Sequence, residues 1–560
     1  MKRSALYAPM LRDTPSEAET KSHQWLLRAG FIRQLSSGIY SMLPLGLRVK
    51  RRIEAIIREE MTAIGGLEFD LPSLQPAEVW KASGRWNAIG TEMLRLRDRA
   101  GREMCLGMTH EEIFASLAKE LRSYKELPTI WFQIARKFRD EPRPRGGLIR
   151  LREFTMKDSY SFALSEATLH AQFLAHEGAY RQIFERCGLD FVVANADNGS
   201  MGGSRSSEFV ALLEAGEDFV VVSESGAYAA NLEVAVSTLE PVVDSPITTP
   251  TEFATPEVHT ILDLQQFSSD LFPSGVPAVQ QIKTLVMLAQ GEKVVVLLRG
   301  DHQLNLTKLG KVLGTDDIRA AGAEETLQVM GANFGSLGPI GIDARIIADT
   351  SLDGRRGMVS GANKDGFHLA GLEPGRDFTA RYADVRLVNS GELSADGSKL
   401  TIQRGLELGH IFELGTRYAT AMGALVQDAS GQRQPLLMGS YGIGVDRLMA
   451  AISETYADAN GLRFPSSVAP FDLAILELGD TGGVAERLYN ELTATGLEVL
   501  FDDREARAGE KFTEFEMMGI PKAVVIGKKT LERGMVEIRN RLTGTKEEVL
   551  LEQVQAALSS

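Results

Sequence analysis

The stretch FRDEPRPRGGLIRLREF, residues 138–154, gathers Arg139, Arg143, Arg145, Arg150 and Arg152 around two prolines and a Gly-Gly pair, with Asp140 and Glu141 among them. The chain as a whole carries a formal net charge of -14, so this is a local reversal of sign. Guanidiniums held that close repel one another. Either they face water on a solvated ribbon, or something polyanionic sits between them. A strand, a loop stiffened by Pro142 and Pro144 and freed at Gly146 and Gly147, then a returning strand would bring Arg139 and Arg150 onto facing positions. Two forked guanidiniums there suit separate phosphates, and Phe154 on the return strand offers a ring face to a purine.

Working outward, the 560 residues are too many for one core and imply several domains. With 44% hydrophobic and 24% charged residues, the composition is that of an ordinary globular protein. Only Cys105 and Cys187 are present, far apart, which speaks against a disulfide framework or a Cys-rich zinc site and for a reducing, cytoplasmic setting. No run approaches the length of a membrane span, and the N-terminal stretch lacks a signal-type apolar segment. The acidic balance excludes sequence-blind nucleic-acid coating but leaves room for local basic grooves, among them RVKRR at 48–52.

The pattern along the chain divides it. In LGLRVKRRIEAIIREEMTAI (45–64), Ile53, Ile56, Ile57, Met61 and Ile64 recur at helical spacing, and the run stops at Gly65 and Gly66 before a strand-like LEFDLPSL interrupted by Pro72. A Pro- and Thr-rich passage at 239–261 opens a region of apolar runs and Gly-rich turns, read as an α+β insertion over 224–405. The segment 406–465 resumes the earlier pattern. After RFPSSVAP (463–470), strand and helix patterns alternate, which predicts a small α/β domain over 468–560.

Neither GxxxxGK[ST] nor GxGxxG occurs, and the HIGH and KMSKS signatures of class I aminoacyl-tRNA synthetases are absent. A nucleotide here would have to be held by arginines. GSYGIGVDRLMAA (439–451) reads as a glycine-rich turn entering a helix, with Arg447 near the helix start, where a cation wants an anion or a stacking partner. THEE (109–112) opens another helix with Thr109 as a plausible N-cap, and could equally be only a capping box.

In this order the stretches resemble the class II aminoacyl-tRNA synthetases, and narrow to the bacterial prolyl-tRNA synthetases, over nearly the whole chain. GGLEFDLPSL with the preceding helix matches motif 1, FRDE through REF motif 2, and GIGVDR motif 3; THEE, MKDSYSF and LGHIFELGTRY carry the narrower resemblance. It implies an α+β multidomain fold: an antiparallel-sheet catalytic core over 1–223 and 406–465, an inserted editing domain, and an anticodon-binding domain. It further implies ATP and Mg2+ with no zinc expected, and L-proline, tRNA(Pro) and a second copy of the chain as partners.

By the same resemblance Arg139 would hold the α-phosphate, Glu141 the adenine amino group, and Arg150 and Arg447 the β/γ end, with Phe154 and Arg447 around the base and Glu407 a candidate metal ligand. Thr109 and Glu111 would receive the ammonium of proline, and Phe162, Gly409, His410 and Ser440 would line the rest of that pocket beside Glu208; His410 has an equal reading as a core histidine. Arg143 and Arg145 would touch the tRNA acceptor end. A pocket for a five-membered ring cannot strongly exclude alanine, and in the insert Lys283, the loop Gly335 to Pro339 and His368 match functional positions of the editing domain. In the tail, Asp502, Asp503, Arg504, Lys511 and Phe512 would read the anticodon, although DDR has a second reading as a salt-bridged strand end. A threonyl enzyme would need a metal-binding Cys/His set that the sequence does not show. A non-catalytic paralogue would be free to lose Glu111, Arg139 or Arg447.

Overall fold

The computed structural model describes residues 1–559. The chain forms two compact units: Met1–Val193 with Asn198–Asp218 and everything from Arg404 onward, and Ala194–Asp197 with Phe219–Gln403.

In the first unit, helix α1 (Pro44–Ala63) starts with proline at its first position and buries Leu45, Val49, Ile53, Ile56, Ile57 and Met61 on one face. It must reverse abruptly. Gly65 takes a φ of 81°, and a Cβ on Gly66 would meet the Met61 carbonyl at 2.7 Å, so only glycine lets strand β1 (Gly66–Glu68) leave so close to the helix. β1 pairs in parallel with β2 (Thr129–Phe138). β2 pairs antiparallel with β3 (Glu153–Ala163) from Thr129↔Phe162 to Phe138↔Glu153. β4 (Arg205–Ala211), β5 (Leu400–Gly415) and β6 (Leu437–Gly444) extend the sheet, each pairing antiparallel, in the order β4-β5-β6-β3-β2-β1.

One face of this sheet is covered by α1 together with two helices packed against it, Glu166–Arg186 and Val445–Thr455, whose apolar residues merge into one core. Strand alternation assigns the faces. Lys157, Ser159 and Ser161 of β3 bond Tyr180, His176 and Tyr441 on the helix side. Met156, Asp158 and Tyr160 therefore point to the opposite face.

Three local expectations are corrected. Arg139 pairs through its backbone with Arg152, donating to its carbonyl at 2.9 Å, while Arg150 bridges to Arg145. The cause is a smaller loop closed inside the hairpin by Gly146 and Gly147, both at positive φ. GSYGIG is strand β6 and not a turn: a Cβ on Gly439 would meet the Tyr441 hydroxyl at 2.0 Å, so glycine there makes room in a central strand. The THEE helix begins at Glu111 (Glu111–Leu117) with His110 as N-cap and no side-chain cap, which leaves Thr109 outside it.

The tail is an α/β sheet in the order 499–502, 473–478, 522–527, 535–540, 546–550, parallel across the first three strands and antiparallel beyond. Three of the four cations of RVKRR are spent on protein carboxylates: Arg48 pairs with Glu498 and Arg52 with Asp472 and Glu498 of the tail, and Lys50 pairs with Asp446 of the helix 445–455. Asp458 and Arg541 add a bidentate pair at 2.7 Å. The second unit holds a five-stranded sheet and a three-stranded sheet, an α+β arrangement. No helix among the described residues is long and apolar enough to cross a membrane.

Candidate active site

The open face of β3, β5 and β6 forms the floor of a cavity of about 640 Å³. It has two chemically different ends. At one, Arg139 leaves β2 and its guanidinium lies 5.3 Å from the Phe154 ring centroid. Its Nε is sealed from solvent without an acceptor, and no carboxylate pairs with it among the described residues. Burial and the nearby charge of Arg447 both push its pKa down. Arg447, in the first turn of the helix after β6, donates from Nη1 to Glu407 at 3.0 Å and from Nε to the Ile149 carbonyl at 3.0 Å. Burial works against ionising Glu407, but the hydrogen bond to His410 and the charges of Arg447 and Arg139 hold its carboxyl well below the usual range. Glu141 receives Arg150 Nε at 2.8 Å and the Arg143 amide at 3.1 Å; Glu217 receives Arg145 at 2.5 Å and Arg150 at 3.5 Å.

At the other end Glu111 is 1% exposed. Its Oε1 accepts from the hydroxyls of Thr109 at 2.9 Å and Ser440 at 3.0 Å, and its Oε2 from Arg85 at 3.1 Å. The Tyr160 hydroxyl adds a longer bond to Oε1 at 3.4 Å, so this buried carboxylate accepts from three hydroxyls and one guanidinium. Behind it Tyr160 bonds the His110 amide and Asp158, and Asp158 pairs with Lys137 at 2.7 Å deep in the sheet. Burial, then the charge of Lys137, lowers His110 to about 4, so this histidine is neutral. Gly409 and His410 on β5 complete the wall. His410 stacks on Phe412 at 3.9 Å and contacts Ser206 at 2.5 Å, while its Nδ1 lies 3.5 Å from Glu208.

Of the expected site residues in this unit, one is misplaced by the sequence reading. Phe162 shares the face of Tyr160 but is fully buried against Trp131, 4.9 Å between centroids, and does not reach the cavity. Conversely, Arg85, Asp158 and Glu217 line it without having been expected. Asp158 is within reach of strand alternation counted from Phe154; Arg85, the first residue of a one-turn helix (Arg85–Ala88) in an ordinary SGRW sequence, carries no signal.

Residues 94–456 match the class II core domain of the synthetases for Gly, His, Pro, Ser and Thr, and residues 472–560 match an anticodon-binding domain. The chain is 49% identical over 562 residues to a proline–tRNA ligase of Anaeromyxobacter sp. strain K, covering 98% of this chain and 97% of that protein. It is 46% identical to the proline–tRNA ligase of Geobacillus kaustophilus strain HTA426, covering 97% and 96%.

The chain belongs to the bacterial-type prolyl-tRNA synthetase family.

Within that prolyl-tRNA synthetase architecture, the tail residues behave differently from expectation. Asp502 is 3% exposed and bound by Arg504 at 2.8 Å, Arg504 also holds Glu514, and Lys511 is spent on the carbonyls of Glu477 and Asp502. These three form the salt-bridged strand end. Asp503 is engaged by Ser4 at 2.6 Å. Phe512 is half-buried, packed against the core, with the Arg539 guanidinium 3.8 Å over its ring.

In the insert, Lys283 donates to the His302 carbonyl at 2.6 Å, and burial lowers its pKa. His368 receives or donates a 2.6 Å bond with Thr255 and is brought down to about 4 by burial. The Gly335–Pro339 loop closes over Gly361, where a Cβ on Gly338 would meet the Gly361 carbonyl at 1.9 Å, and Gly361 is the strand partner of His368. Loop and histidine thus meet through one backbone position; Lys283 lies on a different strand, in the five-stranded sheet.

Proposed function

We propose that this chain activates L-proline with ATP and transfers it to tRNA(Pro), with hydrolytic removal of mischarged alanine in the insert. The observation that carries the reading is the pairing, in one cavity, of a buried carboxylate furnished with hydroxyl donors and an arginine that forms no ion pair among the described residues.

Glu111 binds the secondary ammonium of proline, with Thr109 and Ser440 fixing the oxygen that accepts it. Proline is then held with its carboxylate toward Arg139. A carboxylate oxygen attacks the α-phosphorus, the bond to pyrophosphate breaks, and Arg139 stabilises the charge that grows on the phosphoryl oxygens. Glu141 orients Arg150, and Arg447 is fixed by Glu407; both guanidiniums serve the departing pyrophosphate. Phe154 supports the adenine. The terminal ribose hydroxyl of tRNA next attacks the prolyl carbonyl and AMP leaves.

At the phosphate end Glu407 is shared with Arg447, Glu141 with Arg150, and Glu217 with Arg145 and Arg150, so the candidate ligand Glu407 fits a Mg2+ that brings most of its ligands as phosphate oxygens and water. Bound there it would neutralise charge on the leaving pyrophosphate. Phe512 beside Arg539 suits stacking of an anticodon base. The exposed Leu67 on edge strand β1 suits burial against a second copy, a homodimer.

Amino-acid-dependent exchange of pyrophosphate into ATP tests activation: proline drives it, and exchange driven by threonine or alanine in preference to proline contradicts the reading. Lys283→Ala and His368→Ala should slow alanyl-tRNA hydrolysis with proline activation unchanged. Loss of activation in both would assign the insert a structural role.

A further inference from the structure

The carboxylate expected to receive the amine does not stand alone. Glu111 and Glu112 are adjacent at the start of their helix, 1% and 0% exposed, and a single guanidinium serves both. Arg85 Nη1 lies 3.1 Å from Glu111 Oε2 and 3.2 Å from each oxygen of Glu112. Arg85 is itself 5% exposed, packed between the rings of Trp80 and Tyr418 at 5.0 and 5.5 Å, with its Nε lacking an acceptor. The one other polar side chain on Glu112 is the Ser83 hydroxyl at 2.7 Å, which carries no charge.

Lys137 and Arg139 act on Glu111 through space, but neither forms an ion pair with it. Lys137 is taken by Asp158, and His110 is neutral. In direct contact, the buried cluster therefore holds two carboxylates against one cation, and the oxygen left without a cationic partner is Glu111 Oε1, the one turned to the hydroxyls of Thr109, Ser440 and Tyr160. Burial raises the Glu112 carboxyl and the neighbouring charge of Glu111 adds to it, while Arg85 pulls the other way and is the cation that holds Glu112 ionised.

We propose that Arg85 and Glu112 are positioning residues for the amine site: Glu112 neutralises Arg85, so that Glu111 meets the substrate ammonium with its charge uncompensated. The ammonium is then the missing cation of the cluster. Glu112 does not line the cavity, so its influence is exerted wholly through Arg85 and Glu111.

This inference rests on the reading of Glu111 as the amine receptor, and the test separates the two. Glu112→Gln keeps the shape and one acceptor oxygen for Ser83 and Arg85, loses the second acceptor and the charge, and hands the Arg85 charge to Glu111. In pyrophosphate exchange the KM for proline should rise about tenfold or more, the effect of one unit charge a few ångströms away at an effective dielectric of about 20, with KM for ATP unchanged. Adding Arg85→Met to Glu112→Gln removes a cation and an anion together and should return the KM for proline to within about threefold of the unaltered chain, a rescue that a purely structural role for either residue would not give. A KM for proline unchanged in Glu112→Gln, or a double variant worse than the single one, overturns the proposal. If another amino acid drives exchange, the proline reading falls, while the same two variants still report the charge balance through that amino acid's KM.

Discussion

Replacing Arg139 by methionine should make the unliganded protein no less stable while removing its chemistry. The guanidinium is a net cost in the free chain. Its Nε is buried without an acceptor, which forfeits about 1–3 kcal/mol of desolvation, and the like charge of Arg447 adds to that while the charges of Glu92, Glu407 and Glu111 offset part of it. Against this stands the packing on Phe154 at 5.3 Å, an interaction of about 0.5–1 kcal/mol that methionine largely replaces with its own contact to the ring. The balance predicts a melting temperature equal to or above that of the unaltered chain. Proline-dependent exchange should fall roughly 10²–10³-fold, the usual loss when one preorganised charge-stabilising donor is removed. Thermal melting and exchange on the same preparation measure both. A clear drop in melting temperature would mean that Arg139 is held for the fold, and exchange within tenfold of the unaltered rate would remove it from the mechanism.

Phe162→Leu should cost about 1 kcal/mol of stability by loosening the contact with Trp131, with the KM for proline within about threefold of normal. Asp502→Asn should destabilise the tail by roughly 2 kcal/mol or more, because Arg504 and Lys511 lose a buried anion, without changing the preference between tRNAs that differ only in the anticodon; a changed preference would restore Asp502 as a reading residue. Asp458 is lowered to about 2 from 3.8, chiefly by its hydrogen bonds to Arg541. Its folded pKa lies below the unfolded one, so its contribution, about 2 kcal/mol, is fully present above pH 4 and is lost as the pH falls toward 2. Asp458→Asn should flatten that part of an acid-denaturation curve.

What could be read from the sequence was what repeats with a period or sits in a dense motif. The helix of α1, the alternating tail and the change of texture at the insert are periodic signals, and the family's motifs gave Arg139, Glu111, Ser440 and Arg447 their places at one cavity. The failures have one physical cause, that a motif gives the residue and not the direction its side chain takes. Phe162 lies on the correct face of β3 but one step too far along it, behind Tyr160. Asp502 was read as an acceptor for RNA, yet Arg504 two residues later folds back on it. Arg85 enters the site from a one-turn helix and Glu217 from a bend, both without sequence pattern, brought there by tertiary packing alone.

The central claim is that one cavity reads an ammonium at Glu111 and an α-phosphate at Arg139. A crystal structure with a non-hydrolysable prolyl-adenylate analogue tests it directly. The account predicts the pyrrolidine nitrogen within hydrogen-bonding distance of Glu111 Oε1 and the phosphate mimic on the Arg139 guanidinium. An analogue bound the other way round, with its amine at Glu407 and its phosphate mimic away from Arg139, would contradict it.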